Sequence, residues 1–131
     1  MTMEPSKEYA KKHLELADEF LKDAKVLLSN ESLRSAIDRN YYSMYYAVMA
    51  LLISSGIRPP KTHKGTINLF SQEIINKDLL GKKYGIMLSK AFDSRQASTY
   101  EVYAKFGKSG VKELIENSDK FIARTKELIK N

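Results

Sequence analysis

The chain has 131 residues, 43% of them hydrophobic and 29% charged, with a formal net charge of +6 and no cysteine. These values fit one folded domain over residues 1–131, large enough for a core that needs no disulfide staples. The absence of cysteine excludes thiolate catalysis and cysteine-held zinc, and it suits a reducing cytoplasm, the expected location.

The charge is unevenly spread. Residues 1–30 carry five Lys/Arg against six Asp/Glu, whereas residues 61–103 and 104–131 each carry seven against four. A basic second half is compatible with an RNA or nucleotide partner, although a solvated lysine-rich surface gives the same count. The opening stretch MTMEPSKEY has no apolar run, so no secretory leader is expected. The longest apolar stretch, residues 41–53, is too short to span a membrane.

The periodicity predicts five helices. The first covers residues 5–29, with Pro5 in its opening turn and a stripe of Tyr9, His13, Leu16, Phe20, Ala24 and Leu27. His13 has no second ligand near it in sequence and is expected simply to pack. The second helix covers residues 32–55 and is capped by Ser32. From Tyr41 it is apolar nearly all round, as the central helix of a bundle should be. Its tyrosines need hydroxyl partners if buried. Tyr42 and Met44 are expected in the core, and Tyr46 at a cleft.

Gly56 and the pair Pro59-Pro60 then break the chain. A third helix, opening at Thr62 or His63 and running to about Asn76, should face Ile67, Phe70, Ile74 and Ile75 inward. Lys61, His63 and Lys64 at its start could hold an anion on the free backbone amides, or His63 could cap the helix beside solvated lysines. A fourth helix begins near Leu79 or Leu80. Its line of Tyr84, Leu88, Ala91 and Arg95 places an arginine among apolar residues. That arginine needs a carboxylate such as Asp38, a carbonyl or a ligand phosphate. Residues 97–110 are expected to be irregular, and the last helix to run from about Gly110 to Lys130. The predicted fold is all-α, an up-and-down antiparallel bundle of about five helices.

Several chemistries drop out. Gly107-Lys108-Ser109 resembles the end of a phosphate-binding P-loop, but Val102 stands where the motif needs glycine and no strand precedes it. Two widely separated histidines do not make a zinc site. No Ser-His-acid set or carboxylate pair stands out.

Three segments together carry a resemblance: SAIDRNYYSMYYA at 35–47, KTHKG at 61–65 and AFDSRQ at 91–96. In this order and spacing the chain resembles the HEPN family (higher eukaryotes and prokaryotes nucleotide-binding domain), in its small stand-alone bacterial and archaeal branch, over roughly residues 8–130. The resemblance implies a helical bundle that usually forms a homodimer. Many members are metal-independent endoribonucleases, often toxins beside a small nucleotidyltransferase antitoxin. Others are non-catalytic and bind nucleotides, RNA or proteins. The ribonuclease signature is an arginine, usually followed by a polar residue, with a histidine five to seven positions on. The arginine holds the scissile phosphate, and the histidine acts on the ribose 2′-hydroxyl or the leaving oxygen.

Arg95 matches the signature arginine and Gln96 the polar residue after it, while Tyr100 stands at the first histidine position. A phenol, titrating near pH ~10, is a poor general base at neutral pH. His63 supplies the missing imidazole only if the third helix starts near Arg95. The expectation is therefore a homodimer that binds RNA or a nucleotide phosphate in a basic cleft of Arg95, Gln96, Lys61, His63, Lys64 and Tyr46. It would work in a toxin–antitoxin-like pair with a nucleotidyltransferase and use no metal or other cofactor. The alternatives are an active metal-independent endoribonuclease, with Arg95 and either Tyr100 or His63 catalytic, and a non-catalytic interaction module in which Arg95 is only a salt-bridge residue.

Overall fold

The computed structural model describes residues 5–130, with side chains described from 6 to 129; the first four residues of the expected leaderless N-terminus lie outside the described residues. Among the described residues there are five α-helices: α1 (Pro5–Ser29), α2 (Leu33–Ser54), α3 (His63–Phe70), α4 (Lys82–Tyr100) and α5 (Lys108–Lys130). No strand occurs among the described residues. The fold is the expected all-α bundle. Within it, no helix is long and apolar enough to cross a membrane.

Helix α2 is the hub and packs against all four other α-helices. Ala36, Ile37, Tyr41, Met44, Ala47, Val48 and Leu52 are each at most 1% exposed, which is the all-round burial that its apolar composition predicts. The helix ends where Gly56 takes a left-handed conformation (φ 77°). The amides of Gly56 and Ile57 donate back to the carbonyls of Ile53 and Leu52 at 3.0 and 2.8 Å, closing a Schellman turn. At the other end, Ser32 occupies the cap position without a side-chain cap bond.

Helix α1 lies along α2, with its buried face rotated from the expected stripe. Ala10, Ala17 and Ala24, seven apart, are fully buried together with His13, Leu14 and Leu21, whereas Tyr9 is exposed. Ala36, Ala47 and Ala50 of α2 are also fully buried, and small residues of this kind let two packed helices approach closely. His13 packs as expected, its Nδ1 hydrogen-bonded to the Tyr9 carbonyl at 2.8 Å.

Helix α3 is capped by Thr62, whose Oγ1 accepts from the Gly65 amide at 3.0 Å, so His63 is the first helical residue rather than the cap. It continues into a π-helical turn, Ser71–Ile75, that buries Phe70, Ile74 and Ile75. Helix α4 starts at Lys82, later than expected, because Leu80 plugs the core from a bend before the helix. The α5 stripe follows its sequence pattern, with Val111, Ile115, Ser118, Phe121, Ile122 and Thr125 buried. Ser118 donates to the Asn40 side-chain oxygen at 2.6 Å and ties α5 to α2 inside the core.

Candidate functional site

Arg95 and His63 meet on one wall of tyrosines. From α4, Arg95 lies with its guanidinium carbon 5.9 Å from the centre of the Tyr41 ring and 5.6 Å from that of Tyr42. From the first turn of α3, His63 stacks on Tyr45 at 4.3 Å with the planes 7° apart. It also stands edge-on to Tyr42 at 5.5 Å. Its Nδ1 lies 2.8 Å from the Tyr41 hydroxyl. The wall follows from α2 carrying tyrosines at 41, 42 and 45, which cover adjoining parts of its surface.

The Arg95 guanidinium is only loosely satisfied. Its Nε donates to Asp38 at 3.4 Å, one terminal nitrogen to the Gln96 oxygen at 3.2 Å, and the other to the Tyr42 hydroxyl at 3.4 Å. Charge-assisted bonds are ordinarily about 2.7–2.9 Å long. The Asp38 pair foreseen from spacing is present, yet both side chains remain partly exposed, at 21% for Arg95 and 36% for Asp38. A planar fork held this way can tighten onto a bidentate anion without breaking a strong internal bond.

Titration follows from burial. The Tyr41 phenol is fully buried, and its pKa is pushed well up, first by desolvation and then by the neighbouring Tyr45 and Tyr42, with Arg95 opposing. It therefore stays protonated, and a buried hydroxyl proton needs an acceptor. His63 Nδ1 is within reach at 2.8 Å, and which of the two groups donates depends on the imidazole tautomer. Desolvation, and then the Arg95 charge, lower the His63 pKa below its usual 6.5. At neutral pH the ring is therefore neutral.

The same shift predicts an acid-side loss of stability. The unfolded chain takes up the His63 proton near pH 6.5, before the folded one does. Stability is then unaffected above that pH and falls as the pH drops through 6.5 toward the lower folded value. Urea midpoints measured from pH 7 downward should fall more steeply for the parent than for His63→Gln; parallel curves would refute the assignment.

The other expected site residues are spread around this centre. Lys61 and Lys64 are exposed on either side of His63. Gln96 touches Arg95. Tyr46 lies on the α1 side, its ring 5.1 Å from Phe20 and 6.0 Å from His13. Tyr100 is the last residue of α4 and is 69% exposed. Five residues along a helix turn it about 140° from Arg95, so it extends the face of Gln96 instead. Tyr42, expected in the core, is only half-buried and contacts Arg95.

One organising residue was not foreseen. Arg34 donates to the carbonyls of Ser98, Glu101, Val102 and Ala104 at 2.7, 3.1, 3.0 and 2.6 Å, and it lies over the Phe106 ring at 5.2 Å. It thereby satisfies carbonyls at the end of α4, which runs to Tyr100 instead of fraying after Gln96. A cation in the first turn of α2 opposes that helix's own dipole, and this was the available signal that it serves another helix.

Comparison with known proteins shows the family. The HEPN domain family model matches residues 10–128. A UPF0332 protein of Thermotoga maritima is 34% identical over 115 residues, covering 88% of this chain and 86% of its own. Two proteins of Methanocaldococcus jannaschii, each named a "putative toxin", are 29% and 30% identical. They cover 89% and 90% of this chain, and 86% and 80% of their own. The chain belongs to the HEPN domain family.

Proposed function

We propose that this protein binds a phosphate group of RNA or of a nucleotide at Arg95, and that it does so as the toxin-like member of a two-protein pair. The observation that carries the reading is the loosely held Arg95 guanidinium, with the neutral His63 imidazole on the same wall of tyrosines. Lys61 and Lys64 add positive charge beside His63. The names of the Methanocaldococcus jannaschii relatives support a toxin-like role with an antitoxin partner. That this partner is a nucleotidyltransferase, and that the protein works as a homodimer, rest on the family resemblance.

A second reading has its own observation. His63 and Arg95 share Tyr41 and Tyr42, so the imidazole absent at position 100 is available from α3. In a metal-independent cleavage, His63 Nε2 would take the 2′-hydroxyl proton as O2′ bonds to phosphorus. The bond from phosphorus to the 5′ oxygen would break, and that oxygen would gain a proton, leaving a 2′,3′-cyclic phosphate. This step needs the Nδ1-protonated tautomer, with the Tyr41 oxygen as acceptor; the binding reading is favoured because Tyr100 stands at the signature histidine position.

Incubating the purified protein with labelled RNA in chelator separates the two. Intact RNA retained by the protein, with affinity falling linearly in log salt, is the expected result. Cleavage that His63→Gln abolishes would install the second reading. Neither binding nor cleavage would refute both.

A further inference from the structure

A pocket lies between α4 and α5, and neither Arg95, His63 nor any of the tyrosines lines it. Its volume is about 380 Å³, inside the ~300–1,000 Å³ range of small-molecule sites. Lys90, Asp93 and Ser94 line it from one face of α4, and Glu113, Leu114 and Asn117 from one face of α5. Asp93 is turned about 200° round α4 from Arg95, so the two sites share a helix but not a surface.

The floor is apolar. Ile37 of α2 and Val111 of α5 are buried, whereas Leu114 and the Phe106 ring line the pocket and are only half-buried. The Arg34 guanidinium lies 5.2 Å from the centre of the Phe106 ring and holds it in place. Gly110 leaves the pocket room. It stands inside α5, where glycine weakens a helix relative to alanine. A Cβ there would meet nothing within 4 Å, and Gly110 does not have a positive φ, so neither packing nor backbone geometry calls for glycine.

The rim is charged. Lys90 and Lys105 bring two cations, and Asp93 and Glu113 two carboxylates. Among the described residues none of these four is in an ion pair, whereas the nearby Lys108 pairs with Glu31 at 3.8 Å. The four charges sum to zero. A simple anion or cation would therefore meet as much repulsion as attraction, while a molecule carrying both signs can pair with each.

We propose that the pocket between α4 and α5 binds a small zwitterion with an apolar body, the chemistry of a free apolar amino acid. Its carboxylate pairs with the rim lysines, its ammonium with Asp93 and Glu113, and its side chain covers Phe106 and Leu114. The site is separate from the Arg95 cleft and does not depend on the phosphate-binding reading of that arginine.

The test uses the full chain with isotope-labelled glycine amides, followed by NMR while L-phenylalanine is added. The Gly107 and Gly110 signals, both at the pocket, should move together, and those of Gly56 and Gly65 should stay. Binding should be weak, about millimolar, because exposed ion pairs contribute little. Phenethylamine and 3-phenylpropanoate each keep one charge and should bind about fivefold more weakly, the scale of one such pair. Asp93→Asn/Glu113→Gln should weaken L-phenylalanine by a similar factor and leave 3-phenylpropanoate no weaker. Gly110→Leu, which has room for its side chain, should melt no lower than the parent and abolish the Gly107 shift. The proposal is overturned if Gly107 and Gly110 do not move, or if Gly56 and Gly65 move as far. Equal affinity for all three compounds, or a shift that survives Gly110→Leu, would overturn it too. If Gly110→Leu does not fold, the carboxylate variant decides: equal losses for L-phenylalanine and 3-phenylpropanoate would refute the pairing.

Discussion

Arg95→Ala is expected to weaken RNA binding about ten- to hundredfold, the loss of hydrogen bonds from a charged donor. The slope of log affinity against log salt should fall by about one. Stability should fall by at most about 2 kcal/mol. The Asp38 carboxylate left behind is 36% exposed and can be hydrated, and an ion pair this open is worth at most about 1 kcal/mol. The two ring contacts add about the same again. Arg95→Lys separates charge from shape. It should restore the salt slope but not the affinity, because an ammonium cannot offer the planar fork. Filter binding over a salt series, paired with thermal melts, reads all three quantities. A variant that melts much lower yet binds as well as the parent would mean that Arg95 is only a structural ion-pair residue, which is the interaction-module alternative.

The largest stability effect is expected at Tyr41. Its side chain is fully buried and touches the rings of Tyr42, Tyr45, His63 and Phe92. Tyr41→Ala should cost about 3–5 kcal/mol, the usual range for deleting a buried aromatic ring. That is a large part of the ~5–15 kcal/mol that holds a domain of this kind together. Tyr41→Phe keeps the ring and removes only the bond to His63 at 2.8 Å, so about 1 kcal/mol should be lost. Urea titrations report the difference as a shift in midpoint at unchanged slope. If the phenylalanine variant were as unstable as the alanine one, the hydroxyl would matter more than the packing, contrary to the burial.

The sequence foretold what depends on local pattern. The apolar run of α2, the Gly56 stop and the α5 stripe are all features of residue order within one helix, and all appear in the structure. What it could not foretell depends on who meets whom. The length of α4 is set by Arg34, more than sixty positions earlier, and nothing between Gln96 and Tyr100 announces that donor. The α1 face was misplaced because tyrosine and phenylalanine outweigh alanine in a hydrophobic pattern, whereas close helix contact favours alanine. The neighbourhood of His63 and Arg95 was invisible for a third reason. Each is seen from sequence only as a member of its own motif, and they are joined solely through the tyrosines of a helix between them. Tyr46, expected at a cleft, has its ring beside Phe20 and His13 of α1.

The π-helical turn at Ser71–Ile75 has a consequence for that neighbourhood. A π turn holds one residue more than an α turn, so it sets the rotational phase between the two halves of a helix. Upstream of it stands His63, and downstream lie Ile74 and Ile75, anchored in the core. Were the same residues all wound as a regular α-helix, the imidazole would sit about 100° round from its present position relative to that anchor. The placement of the candidate site is in this respect written in the width of one turn, as a combination is held by the position of a tumbler, and not in the identity of any side chain within the turn.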